Sequence, residues 1–91
     1  MAQVVPEQRD PVVGDIVVME YEKDSTYCPL GEVVGGKCKI KHFAVVEGVV
    51  NELILISECN MYHLYPRGCG YRIIPFNYAH TLGYFNSESN L

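Results

Sequence analysis

One histidine and two late cysteines are the residues of this chain best suited to do chemistry. His42 stands in Lys41-His42-Phe43-Ala44-Val45-Val46-Glu47-Gly48, where apolar and polar residues alternate. On a strand, that alternation turns Ile40, His42, Ala44 and Val46 to one face and Lys39, Lys41 and Glu47 to the other. His42 is thus expected to face inward, with the small Ala44 leaving room beside the imidazole. Such an imidazole suits a general base that takes a proton from a thiol, because it titrates near neutrality. The plainer alternative is a core histidine satisfied by a backbone carbonyl. Cys59 and Cys69 are the only thiols that follow it in the chain. Cys69 lies in Arg67-Gly68-Cys69-Gly70, where the glycines permit close backbone approach and Arg67 would lower the thiol's pKa. A cysteine in a glycine-rich turn is, however, ordinarily inert.

The segment from Asn60 to Gly70 is irregular and rich in tyrosine and glycine. Tyr62, His63, Tyr65 and Arg67 are its candidate contact residues for a protein partner, since tyrosine and arginine are favoured at interface hot spots. Seven tyrosines exceed what so small a core can bury with each hydroxyl satisfied. Cys28, Cys38, Cys59, Cys69, His42 and His63 are soft ligands, but no Cys-x-x-Cys or His-x3-His spacing joins them. Neither a metal nor another cofactor is expected.

The elements that must position these residues are strands. Branched and aromatic side chains dominate the apolar set, and these suit a pleated, half-buried surface. Strands are expected over residues 15 to 21, 38 to 50, 53 to 58, 71 to 76 and 81 to 86. Residues 1–12 read as an extended lead-in pinned by Val4 and Val5, and 87–91 as a flexible tail. Glu22 to Gly36 reads as a long loop with a short hairpin at Gly31 to Lys37, and loops of that length are usually functional or mobile. Asn51-Glu52 has the composition of a hairpin turn. A sheet this small twists and must deal with its edges by curling or covering. The expected fold is therefore mainly β: one domain over 1–91, a strongly curved antiparallel sheet or SH3-like partly open barrel of five to six strands. An edge strand would offer a route to a homodimer.

Composition narrows the function classes. Of 91 residues, 48% are hydrophobic and 20% charged, the balance of a globular chain. Eleven acids against seven bases leave a net charge of −4, a poor match to the phosphates of nucleic acid. Lys37, Lys39 and Lys41 are spaced by two, and read as one solvated strand face. No apolar run approaches the ~20 residues of a membrane helix, and the first residues lack the pattern of a secretory signal. Four cysteines without such a signal read as thiols of a reducing compartment, so a cytoplasmic location is expected.

Two family resemblances bear on function. Gly14-Asp15-Ile16-Val17, followed after a loop by His42-Phe43-Ala44-Val45-Val46, resembles the opening of circularly permuted NlpC/P60-type proteins of the papain-like fold. Leu53 to Cys59, Gly70 to Phe76 and Gly83-Tyr84-Phe85 are similar to that family's following barrel strands. The resemblance spans about residues 13 to 86. It implies a structural Gly-Asp turn at Asp15, His42 as catalytic base, and a cysteine nucleophile at a helix N-terminus. No helix-forming segment follows Gly48, so the nucleophile would have to be Cys69 or Cys59. The Gly14 to Val17 and Ala44 to Val46 segments also resemble the SH3-like barrel of MazF-type toxins, although Lys41-His42-Phe43 stands where that family has a basic residue and proline.

The expectation from these readings is a small cytoplasmic, non-enzymatic binding module that docks on another protein. Stand-alone inhibitors or adaptors encoded by phages and bacteria are of this kind. The alternative is a minimal cysteine hydrolase with His42 as base and Cys69 or Cys59 as nucleophile.

Overall fold

Valine, isoleucine and tyrosine at alternating positions favour extended backbone, because their stiff or planar side chains pack well on a pleat. The computed structural model describes residues 5–24, 32–62 and 64–86. Residues 1–4 with Val4, residues 25–31 with Cys28, His63, and the expected tail 87–91 lie outside the described residues. Six strands form: β1 (Ile16–Asp24), β2 (Glu32–Val34), β3 (Lys37–Val50), β4 (Leu53–Glu58), β5 (Gly70–Pro75) and β6 (Thr81–Phe85). They pair antiparallel in the order β5-β4-β3-β1-β6, with β2 on β3, as one sheet that does not close on itself. Among the described residues there is no helix, and hence none long and apolar enough to cross a membrane.

β1 runs three residues past its expected end because β3 continues to offer it partners: Tyr21 opposes Ile40, Glu22 opposes Lys39 and Asp24 opposes Lys37. Lys39 Nζ lies 3.9 Å from Glu20 and 3.7 Å from Glu22. The lysine spacing is thus one side of a ladder of opposite charges, each pair contributing little by itself at the surface.

Period two brings Val17 and Met19 of β1, Ala44 and Val46 of β3, and Ile54 and Ile56 of β4 to one face, where all are buried. The β3–β4 register slips between Val46 and Gly48. This bulge inserts Glu47 and keeps Val49, like Val46, against the core. Pro75 ends β5, where a missing N–H costs no ladder bond in the interior of the sheet.

The lead-in is held by Glu7 rather than by Val5, which is 68% exposed. Glu7 N–H donates to the Tyr84 carbonyl (2.8 Å), Tyr84 N–H donates back (3.0 Å), and the Gln8 amide donates to the Leu82 carbonyl. Gly83 makes this approach possible: its φ is +150°, and a Cβ there would collide with the Glu7 carbonyl oxygen and Pro6.

Asp15, 2% exposed, accepts from Arg9 Nη1 (2.6 Å), Arg9 Nη2 (3.1 Å) and the Val12 N–H (2.9 Å). Burial pushes its carboxyl up, but these donors and the guanidinium charge outweigh that, so it titrates below its ordinary 3.8. A carboxyl with a depressed folded-state pKa adds stability that is complete above the unfolded value and lost as pH falls from there through the folded value. Chemical denaturation from pH 7 downward should therefore show wild-type stability falling below about pH 4. Asp15→Asn should be less stable at pH 7 by about 1–3 kcal/mol and fall less steeply in acid. Parallel curves for the two proteins would refute the assignment.

Candidate functional site

The inward parity that buries Met19, Ala44 and Ile56 also turns Tyr21, His42, Glu58 and Arg72 to the same side of the sheet. Glu58 is the centre of this group, with none of its side chain exposed. His42 Nε2 donates to Glu58 Oε1 (3.0 Å), Tyr65 Oη donates to Oε2 (2.8 Å), and Arg72 Nη2 donates to Oε1 (3.0 Å). Arg72 Nε lies 2.9 Å from Oε2, an ion-pair contact whose angle does not make it a hydrogen bond.

Arg72 extends the network outward. Its Nη2 also donates to Tyr21 Oη (2.9 Å), Nη1 donates to Tyr78 Oη (3.4 Å), and the guanidinium lies 5.5 Å from the centre of the Tyr78 ring. Tyr21 stacks tilted against His80 at 4.5 Å between ring centres. Burial, with the bond to Tyr78, pushes the Tyr21 hydroxyl up to about 12. Burial also raises Tyr65, and its bond to the Glu58 carboxylate adds to this. Both phenols therefore stay neutral donors throughout the physiological range.

His42 faces inward as expected, but its partner is the Glu58 carboxylate, neither a backbone carbonyl nor a thiol. Cys59 and Cys69 flank the inward residues Glu58 and Gly70 by one position, so they point to the opposite face. There they line an open groove of about 500 Å³ with Phe43, Val45 and Tyr71. They are also joined to each other in a disulfide, Cα–Cα 3.9 Å, since the register that opposes Glu58 and Gly70 brings the next residues of both strands together. Cys38 is likewise disulfide-bonded, and no cysteine among the described residues is free. The expectation of free thiols is overturned by this pairing. The hydrolase pair of His42 with Cys69 or Cys59 is not assembled: base and sulfurs lie on opposite faces, and the sulfurs carry no proton to give.

The disulfide closes the base of the loop between β4 and β5. Inside it, Met61 is buried, its N–H donates to the Gly68 carbonyl (3.0 Å), and its carbonyl accepts from Leu64 and Tyr65 N–H (3.0 Å each). The Tyr65 ring packs against Gly70, where any Cβ would strike it, and from there its hydroxyl reaches Glu58. Tyr65, expected as a contact residue, is half-buried and anchors the loop to Glu58. Tyr62 packs one side of its ring on Gly68 yet remains 69% exposed, Leu64 is 45% exposed and Arg67 is exposed. His63, the fourth expected contact residue, lies outside the described residues.

Glu58 and Arg72 went unrecognised in the sequence. The available signal was parity: an acid and a base placed at core-facing positions of adjacent strands must find each other or water. Among the described residues no group of three or more His, Cys, Asp or Glu side chains is placed to hold a metal ion. No family model, curated protein or solved structure matches the chain.

Proposed function

We propose that this chain is a non-enzymatic binding module that docks on another protein through the loop closed by Cys59 and Cys69. One observation carries the reading: a loop tied at its base by a disulfide, from within by Met61 and to the buried Glu58 by Tyr65 still leaves Tyr62, Leu64 and Arg67 outward. A loop ordered before binding loses little entropy on docking, so its contacts convert more fully into affinity. Tyrosine and arginine are the residue types that most often dominate such contacts. A stand-alone inhibitor or adaptor needs no more than this, and the order of the strands supports an SH3-like scaffold beneath it. The cytoplasmic reading rested on the lack of a secretory-signal pattern and on reading the cysteines as thiols, and bonded Cys38, Cys59 and Cys69 remove the second of these grounds.

The test is retention of a partner by immobilised wild type and by a Tyr62→Ser/Arg67→Ala variant of matching circular dichroism and melting temperature. Loss of a central tyrosine anchor should weaken the complex by about 30-fold or more. Equal retention by both proteins would remove this loop from the interface.

A further inference from the structure

Part of the face of the sheet opposite the core is apolar. Register sets Val45, Ser57 and Tyr71 in one row, Gly48, Leu55 and Ile73 in the next, and Val50, Leu53 and Pro75 in a third. Phe43 continues the β3 column. Phe43 is 54% exposed, Val45 42%, Leu53 48%, Leu55 39%, Tyr71 68% and Ile73 64%. A half-solvated antiparallel sheet ordinarily places polar residues at such positions. From Phe43 onward the outward residues of β3, with those of β4 and β5, are apolar but for Glu47 and Ser57; the outward Lys37, Lys39 and Lys41 lie earlier on β3.

We propose that this outward face of β3, β4 and β5 is the interface of a homodimer, in which two copies pack these sheets face to face. At their fractional exposures the six side chains present roughly 700 Å², close to the ~800 Å² each partner gives to a standard interface. That is above the few hundred Å² of contiguous apolar surface a typical soluble monomer leaves open. The patch is also uncharged among the described residues but for Glu47, whose carboxylate accepts from Ser57 Oγ (2.9 Å).

Beyond Glu47, Ser57 and the Tyr71 hydroxyl, this patch offers no polar side chain among the described residues with which to select an unlike, polar partner. It is complementary to a surface as apolar as itself, and a two-fold axis supplies that from the same chain. Branched and aromatic residues interdigitate when two sheets stack ~10 Å apart. The groove beside Phe43, Val45 and Tyr71 gives a large side chain of the second copy a place to seat. Cys59 and Cys69 at the base of the proposed docking loop line this groove, whereas Tyr62 and Arg67 do not.

Sedimentation of the disulfide-intact chain between roughly 1 and 200 μM tests this. The expected result is a dimer in the wild type, with Val45→Lys and Leu55→Lys each shifting dissociation by at least about 30-fold, since each puts a charge into an apolar contact. Tyr62→Ser/Arg67→Ala should leave the dimer unchanged. A wild type that stays monomeric throughout would overturn the proposal. So would a dimer that survives both lysine substitutions, because pairing through the edge of β5 does not involve Val45 or Leu55 side chains. If either lysine variant fails to fold, Tyr71→Asp on the most exposed of the six residues reports in its place.

Discussion

Replacing Arg72 by alanine is expected to destabilise the fold by about 3–5 kcal/mol, the cost of leaving a buried charge without its counter-ion. Glu58 has no exposed side-chain surface, so with Arg72 in place its charge is balanced by the protein and not by water. His42 and Tyr65 would remain its side-chain partners among the described residues. Against a total stability of about 5–15 kcal/mol for a domain of ordinary size, that loss could leave a largely unfolded chain at room temperature. Glu58→Gln should cost less, because an amide keeps one acceptor for Arg72 and Tyr65 while removing the charge. Replacing both residues by methionine should cost far less than the two single losses together, because the penalty belongs to the unpaired partner and not to the pair. Urea midpoints of the singles and the double measure this. An Arg72→Ala cost below about 1 kcal/mol would mean that the carboxylate finds solvent.

Removing the Cys59–Cys69 bond, by reductant or as Cys59→Ala/Cys69→Ala, is expected to cost about 2.5–3 kcal/mol. A cross-link over a sequence separation of 10 removes that much loop-closure freedom from the unfolded chain. The effect should also be local. Amides of Leu64, Tyr65 and Gly68, which are bonded within the loop, should exchange faster, and any partner held by Tyr62 and Arg67 should be held less tightly. The alanine pair separates this bond from the one at Cys38, which a reductant would also break. If the alanine pair leaves both the urea midpoint and loop exchange unmoved, the Tyr65–Glu58 bond and buried Met61 hold the loop unaided.

The two predictions concern one construction seen from its two sides. On the inner face, Arg72 and His42 secure Glu58, and Glu58 secures Tyr65. On the outer face, the disulfide secures the ends of the same loop. A change in either should therefore be felt at Tyr62 and Arg67 without any contact to them. The Glu58 carboxylate accepts from three side chains, which suits a fixed support better than a site that must exchange protons with a substrate.

Strand positions, the inward face of β3 and the Asn51-Glu52 turn were legible in the residues, because alternation and turn chemistry are local properties and each strand carries its own period. Their ends were legible less well: β1 continued to Asp24 only because β3 was there to pair with it. His42 was placed on the correct face by sequence, yet its partner was not. Register between strands is a relation between two segments, and a single strand's pattern does not contain it. The same reason hid the pairing of Cys59 with Cys69, and with it the loss of both as thiols. Sequence by itself determined that this chain makes a small, strongly β-rich sheet with a histidine among its core residues. Tertiary structure decided that the histidine meets a carboxylate, that the late cysteines become a tie on the opposite face, and that Phe43, Val45, Leu55, Tyr71 and Ile73 are left outward together.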